Sequence, residues 1–133
     1  MRRVSGGVYS LLMQDAGATQ EQARDPLLME IVRRLVDAYH PERIYLFGSY
    51  ARGESGPDSD YDIMVVVPHS DEPAYRRAQQ AHSLLWDLGA AADILVWTRD
   101  AFASRVHLRA SLPATILREG KLLYRGLAVA RKP

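Results

Sequence analysis

Residues 43–68 run R-I-Y-L-F-G-S-Y-A-R-G-E-S-G-P-D-S-D-Y-D-I-M-V-V-V-P, and this stretch constrains the fold most. Ile44 to Phe47 form a short β-branched and aromatic run, the mark of a buried strand. Gly48-Ser49 breaks it. Gly53, Gly56, Pro57, Asp58 and Ser59 are turn residues, so the chain is expected to stay irregular until Asp60. A second buried strand, Tyr61 to Val67, follows and is stopped by Pro68. Asp60 and Asp62 are two residues apart, so on a strand they share a face and Tyr61 takes the other. Two adjacent carboxylates repel each other and add nothing structural. They make sense around a hard divalent cation such as Mg²⁺, which favours carboxylate and phosphate oxygens. The Gly48-Ser49 turn is the complementary half. Its glycine lets backbone approach a ligand, and its N–H groups and the Ser49 hydroxyl can hold phosphate oxygens if Tyr50 to Arg52 start a helix.

Gly48-Ser49, then ten residues, then Asp60-x-Asp62 and an apolar run resembles the signature of the DNA polymerase β-type nucleotidyltransferase superfamily. The forms G-S-Y-A-R-G and S-D-Y-D are similar to those of its small prokaryotic members, the minimal nucleotidyltransferases (MNT). Members of that group commonly pair with a helical HEPN protein as antitoxin and toxin. The resemblance runs from about Pro26 to Tyr124. It implies an α/β (α+β) fold, a small mixed β-sheet with helices packed mainly on one side.

A chain of 133 residues makes one domain with a core of its own. A net charge of +1 argues against a broad nucleic-acid-binding surface. The absence of cysteine excludes disulfides and thiolate metal sites. No run approaches the roughly 18 apolar residues of a membrane span, and Met1-Arg2-Arg3 is not followed by a continuous apolar stretch. A cytoplasmic protein is expected.

Residues 1–24 carry weak signals and read as an N-terminal extension, with residues 25–125 as the nucleotidyltransferase domain and 126–133 as a basic tail. Asp25-Pro26 predicts a helix start, with Leu28, Ile31, Val32, Leu35 and Tyr39 on one face and an end before Pro41. Ser70 is expected to cap a helix reaching about Leu88, with Gly89 as its stop. Within it, Arg77 and His82 make an R-x₄-H pattern similar to a HEPN ribonuclease motif, but they lie on different faces and read as solvated. Ala91 to Trp97 read as a third strand, opened by Asp93. Thr98 and Ser111 are expected to cap two short helices, and Lys121 to Tyr124 to form a last strand. The four histidines lack metal-ligand spacing and read as surface residues, whereas Trp86 and Trp97 read as core or interface.

The resemblance implies a catalytic and metal-binding triad of Asp60, Asp62 and Asp93, with two Mg²⁺ ions and ATP as donor. Asp93 stays open between metal ligand and general base. Gly48 and Ser49 are expected to bind the β,γ-phosphates. Arg52 neutralises a phosphate, anchors the loop or simply lies on the surface. Ser59 and Asp58 contact the triphosphate or cap the loop. Size and resemblance together imply a protein acceptor, a tyrosine hydroxyl on a HEPN-type partner, and a homo- or hetero-oligomer. The alternatives are a small-molecule enzyme of the aminoglycoside type completed by another chain, and a non-catalytic antitoxin acting by occlusion.

Overall fold

A computed structural model describes residues 6–54, 56 and 60–126, with side chains described from residue 11 onward. The first strand, β1 (Arg43–Phe47), is central, with β2 (Tyr61–Val67) antiparallel on one side and β4 (Lys121–Arg125) antiparallel on the other. The edge strand β3 (Ala92–Thr98) runs parallel to β2. The order β3-β2-β1-β4 makes one mixed sheet, as the resemblance implies. Helices α1 (Gly6–Ala16), α2 (Gln20–Ala23), α3 (Pro26–Tyr39), α4 (Gly48–Arg52), α5 (Ala74–Leu85), α6 (Arg99–Ala103) and α7 (Leu112–Glu119) complete the order of elements.

Alternation along the strands sorts two cores. Ile44, Leu46, Ile63, Val65, Ile94 and Val96 face the larger one, shared with α3 and α5. Tyr45, Met64 and Val66 face a smaller one, closed by Phe102 of α6 and Ile116 of α7. Most helical mass therefore lies on one face, while short helices seal the other. Helix α3 shows why: Leu28, Ile31, Val32 and Leu35 fall on one stripe and are each at most 1% exposed. Burying each stabilises by about 1.5–3 kcal/mol before chain entropy. The Asp25 carboxylate caps this helix by accepting from the N–H groups of Leu27 and Leu28. His40, in the left-handed region, ends it before Pro41.

Four expectations meet a different structure. The segment read as an extension packs into the larger core, where Met13 and Ala23 are fully buried and α1 lies against β4. Its apolar residues are too sparse for periodicity to reveal this. Helix α5 starts after Pro73 without a side-chain cap, and Ser70 instead accepts from the Glu72 N–H in the preceding turn. Arg77 is buried rather than solvated; its guanidinium donates to the carbonyls of Val96 and Glu72, pinning α5 to β3. Of the two readings of Trp86, core and interface, the first is overturned, because it is 86% exposed in the 3-10 turn that follows α5, while Trp97 packs against the smaller core. All four histidines are exposed. Among the described residues no helix is long and apolar enough to cross a membrane. The expected basic tail falls almost wholly on residues 127–133, outside the described residues.

Candidate active site

The site is assembled where β1 ends and β2 and β3 begin. Asp62 is in register with Phe47 across the β1–β2 pair and with Asp93 across the β2–β3 pair. Because side chains alternate, Tyr61 and Ile63 enter the larger core and Asp62 faces the opposite side. Asp93 precedes Ile94 in the same phase, so it shares that side with Asp62. Neighbouring strands lie about 4.8 Å apart, which brings the two carboxylates side by side. Asp60, exposed just before β2, is close enough for its charge to act on Asp62. The Asp62 carboxyl is pushed above its ordinary value, first by burial, then by the charges of Asp93 and Asp60, with Arg52 opposing.

Helix α4 follows β1 without a linker. Gly48 carries the change of direction with φ of 73°, a left-handed conformation that a side chain would strain. A Cβ there would lie 3.0 Å from Asp62 Cγ and closer still to Oδ2. The glycine turn and the D-x-D carboxylate thus meet directly, and Ser49 is the next residue along α4. Arg52, at the far end of α4, bonds to Glu54 at 3.0 Å and pairs with Glu119 at 3.7 Å, and its charge reaches Asp62. Ser59 and Asp58 lie outside the described residues.

The structure therefore brings Gly48, Ser49, Asp60, Asp62 and Asp93 to one end of the sheet. Among the described residues no group of three or more His, Cys, Asp or Glu side chains is placed to hold a metal ion. The register-matched pair Asp62 and Asp93 is a donor set of the kind that a hard divalent cation takes, one or two carboxylates at a time. Such a cation takes its remaining oxygens from water and phosphate. An open cleft of about 1110 Å³ flanks α4 on its other side, lined in part by Gln22, Asp25, Tyr50, Arg52 and Lys121; none of the three aspartates lines it.

One group at this end of the sheet escaped the sequence reading. The Tyr61 hydroxyl donates to Asp25 Oδ2 at 2.6 Å, and the Tyr61 ring stacks on Tyr50 with centroids 4.4 Å apart. Asp25 was legible only as a helix cap. Alternation placed Tyr61 opposite the aspartates, but nothing in the sequence pairs it with a residue 36 positions earlier.

Residues 28–123 match the family described as nucleotidyltransferase domain. The chain is 30% identical over 99 residues to a Methanocaldococcus jannaschii protein provisionally named a protein adenylyltransferase, covering 73% of this chain and 94% of that one. It is 34% identical over 82 residues, 53% of its length, to a bifunctional uridylyltransferase/uridylyl-removing enzyme of Bordetella pertussis, yet spans only 10% of that enzyme. A solved structure from Sulfolobus solfataricus, provisionally named a nucleotidyltransferase, shares the fold at a TM-score of 0.54 and 20% identity, with 93% of this chain and 90% of that one covered. A chain of the MntA–HpeT toxin–antitoxin complex overlays at a TM-score of 0.48 and 23% identity, over 74% of this chain and 73% of that one, a likeness too distant to bear on function. With the family matched over well more than half its length, the chain belongs to the nucleotidyltransferase domain family.

Proposed function

We propose that this protein transfers AMP from ATP to a hydroxyl of a protein acceptor and releases pyrophosphate. The carrying observation is the direct approach of the Gly48 turn to the Asp62 carboxylate, with Asp93 beside it in register. A turn that can cradle phosphate and a carboxylate set that can hold a cation are worth most when they converge on one triphosphate. In this reading the turn N–H groups and the Ser49 hydroxyl bind the β,γ-phosphates. Asp60 and Asp62 would hold Mg²⁺, which would neutralise the triphosphate and lower the pKa of the attacking hydroxyl. The acceptor oxygen forms a bond to the α-phosphorus as the bond to pyrophosphate breaks. Asp93 would take the hydroxyl proton as a general base, or would serve as a further ligand while the proton leaves to water.

The provisional name of the Methanocaldococcus jannaschii relative, matched over nearly its full length, supports a protein acceptor and an adenylyl donor. The G-S-Y-A-R-G and S-D-Y-D resemblance to minimal nucleotidyltransferases supports a HEPN-type helical partner, with a tyrosine hydroxyl as acceptor and neutralisation of a toxin as the outcome. The test incubates the protein with Mg²⁺, labelled ATP or labelled UTP, and a cell lysate searched for a HEPN-type helical partner, followed by mass spectrometry. The reading expects AMP on a tyrosine of that partner, with UTP a poor donor. Labelling from UTP alone would move the donor assignment to uridylyl transfer. No labelling and no pyrophosphate release would contradict the reading.

A further inference from the structure

We propose that Tyr61, held by Asp25 and stacked on Tyr50, is a positioning residue that sets the Gly48-Ser49 turn against Asp60 and Asp62. The proposal rests on the nucleotide reading of that turn. Helix α4 is five residues long and has no side-chain cap at its start, so it cannot hold its own position. Its placement depends on what it packs against. Ala51 is buried in the larger core, the Tyr50 ring lies on the Tyr61 ring at an interplanar angle of 21°, and the Tyr50 carbonyl accepts from Gln22 Nε2 at 3.4 Å.

Tyr61 is in turn fixed from below. It is 7% exposed, and its hydroxyl meets a carboxylate whose other oxygen already accepts from Leu27 and Leu28 at 3.1 and 3.2 Å. Both Asp25 oxygens are thereby committed, and the start of α3 becomes a fixed anchor for the Tyr61 ring. Filling the core does not require the hydroxyl, because a phenylalanine ring would occupy the same volume. The cap does not require it either, since Oδ1 alone makes the cap. What the bond adds is a fixed height for the ring on which Tyr50 sits. Tyr50 is the neighbour of Ser49, and Tyr61 is the neighbour of both Asp60 and Asp62. One hydrogen bond therefore sets the spacing between the two halves of the site.

The test uses the full chain as wild type, Tyr61→Phe, Tyr50→Leu and Asp25→Asn. Asn keeps a cap oxygen, and its amide can donate to the Tyr61 oxygen. Two readouts are taken well below each melting temperature. The first is hydrogen exchange of the Gly53 and Glu54 amides in ligand-free protein, which donate to the carbonyls of Tyr50 and Ser49. The second is the Kd of a non-hydrolysable ATP analogue with Mg²⁺. Tyr61→Phe should speed exchange at those two amides while α3 and β2 keep their rates, and should weaken analogue binding by about 3- to 10-fold, as expected for one lost hydrogen bond. Tyr50→Leu should do at least as much, and Asp25→Asn less. If Tyr61→Phe accelerates exchange everywhere alike, or binds the analogue as wild type does, the positioning role is overturned and the nucleotide reading stands. If wild type binds no nucleotide, both fall.

Discussion

Asp62 Oδ2 occupies the space that a side chain at residue 48 would begin to fill, so Gly48 and Asp62 must be considered as one unit. Two requirements meet at the glycine: a left-handed backbone at φ 73° and room for the carboxylate. From sequence alone, a branched residue at 48 is expected to obstruct the phosphate approach and spare the rest. In the structure it strikes the carboxylate first.

Gly48→Ala should therefore displace Asp62 and destabilise the protein by about 1–3 kcal/mol, combining backbone strain with the clash. Part of that cost should vanish in an Asp62→Ala background, leaving mainly the strain. Chemical denaturation of the two single variants and the double variant measures this coupling. Strictly additive effects would mean that the two residues do not share the space.

Ser49→Ala should weaken binding of an ATP analogue with Mg²⁺ by about 0.5–1.5 kcal/mol while leaving the melting temperature of the ligand-free protein unchanged. Calorimetric titration at constant salt checks it. Wild-type affinity in this variant would place the phosphates away from the turn.

Arg77→Met should cost about 2–3 kcal/mol, because it removes a buried guanidinium and leaves the Val96 carbonyl without its partner. Analogue binding measured below the melting point should be unaffected, since Arg77 joins α5 to β3 at the Val96 carbonyl and makes no bond to Asp93. A variant as stable as wild type would show that water replaces the guanidinium freely.

Glu30 supplies a pH-dependent term remote from the site. Arg33 and Arg34 hold its carboxyl near 2, below the ordinary 4.5. A depressed folded-state value means that this stabilisation is present above about 4.5 and is lost as pH falls toward 2. Glu30 is about one-third exposed, so Glu30→Gln should cost only about 0.5–1 kcal/mol at pH 7 and nothing near pH 2. Urea unfolding at both pH values checks the sign; an equal difference at both would contradict it.

How much could be read before the structure differs by residue. Asp60, Asp62 and the Gly48-Ser49 turn stand out through period-two alternation and a glycine break, which are local signals, whereas Asp93 enters only through the family resemblance. Strand register then did what spacing could not, setting Asp93 opposite Asp62 in a parallel pair joined through α5. Arg77 was read as solvated because its class is exposed more often than not; burial followed from two backbone carbonyls that only the folded chain presents. Asp25 and Tyr61 illustrate the same limit. Each had a sufficient local explanation, as cap and as core residue, and their bond depends on how α3 packs beside β2. The packing of Met13 and Ala23 was hidden by glycine and polar residues around them, which erase helical periodicity.

The central claim is that Asp62 belongs to a carboxylate set built for a cation and a triphosphate. Its folded-state pKa is raised by burial and by Asp93 and Asp60, so Asp62 favours folding only while protonated and becomes a cost as pH rises through that value. At pH 7 without metal, Asp62→Asn removes that cost at nearly constant shape. The decisive measurement is the melting temperature of wild type and Asp62→Asn in EDTA, and again with Mg²⁺ and a non-hydrolysable ATP analogue. In EDTA the variant should melt at the same temperature as wild type or higher. With ligand the order should reverse, because only wild type gains stability from binding. A variant that unfolds in EDTA, or that keeps the full ligand-dependent gain, would contradict the account.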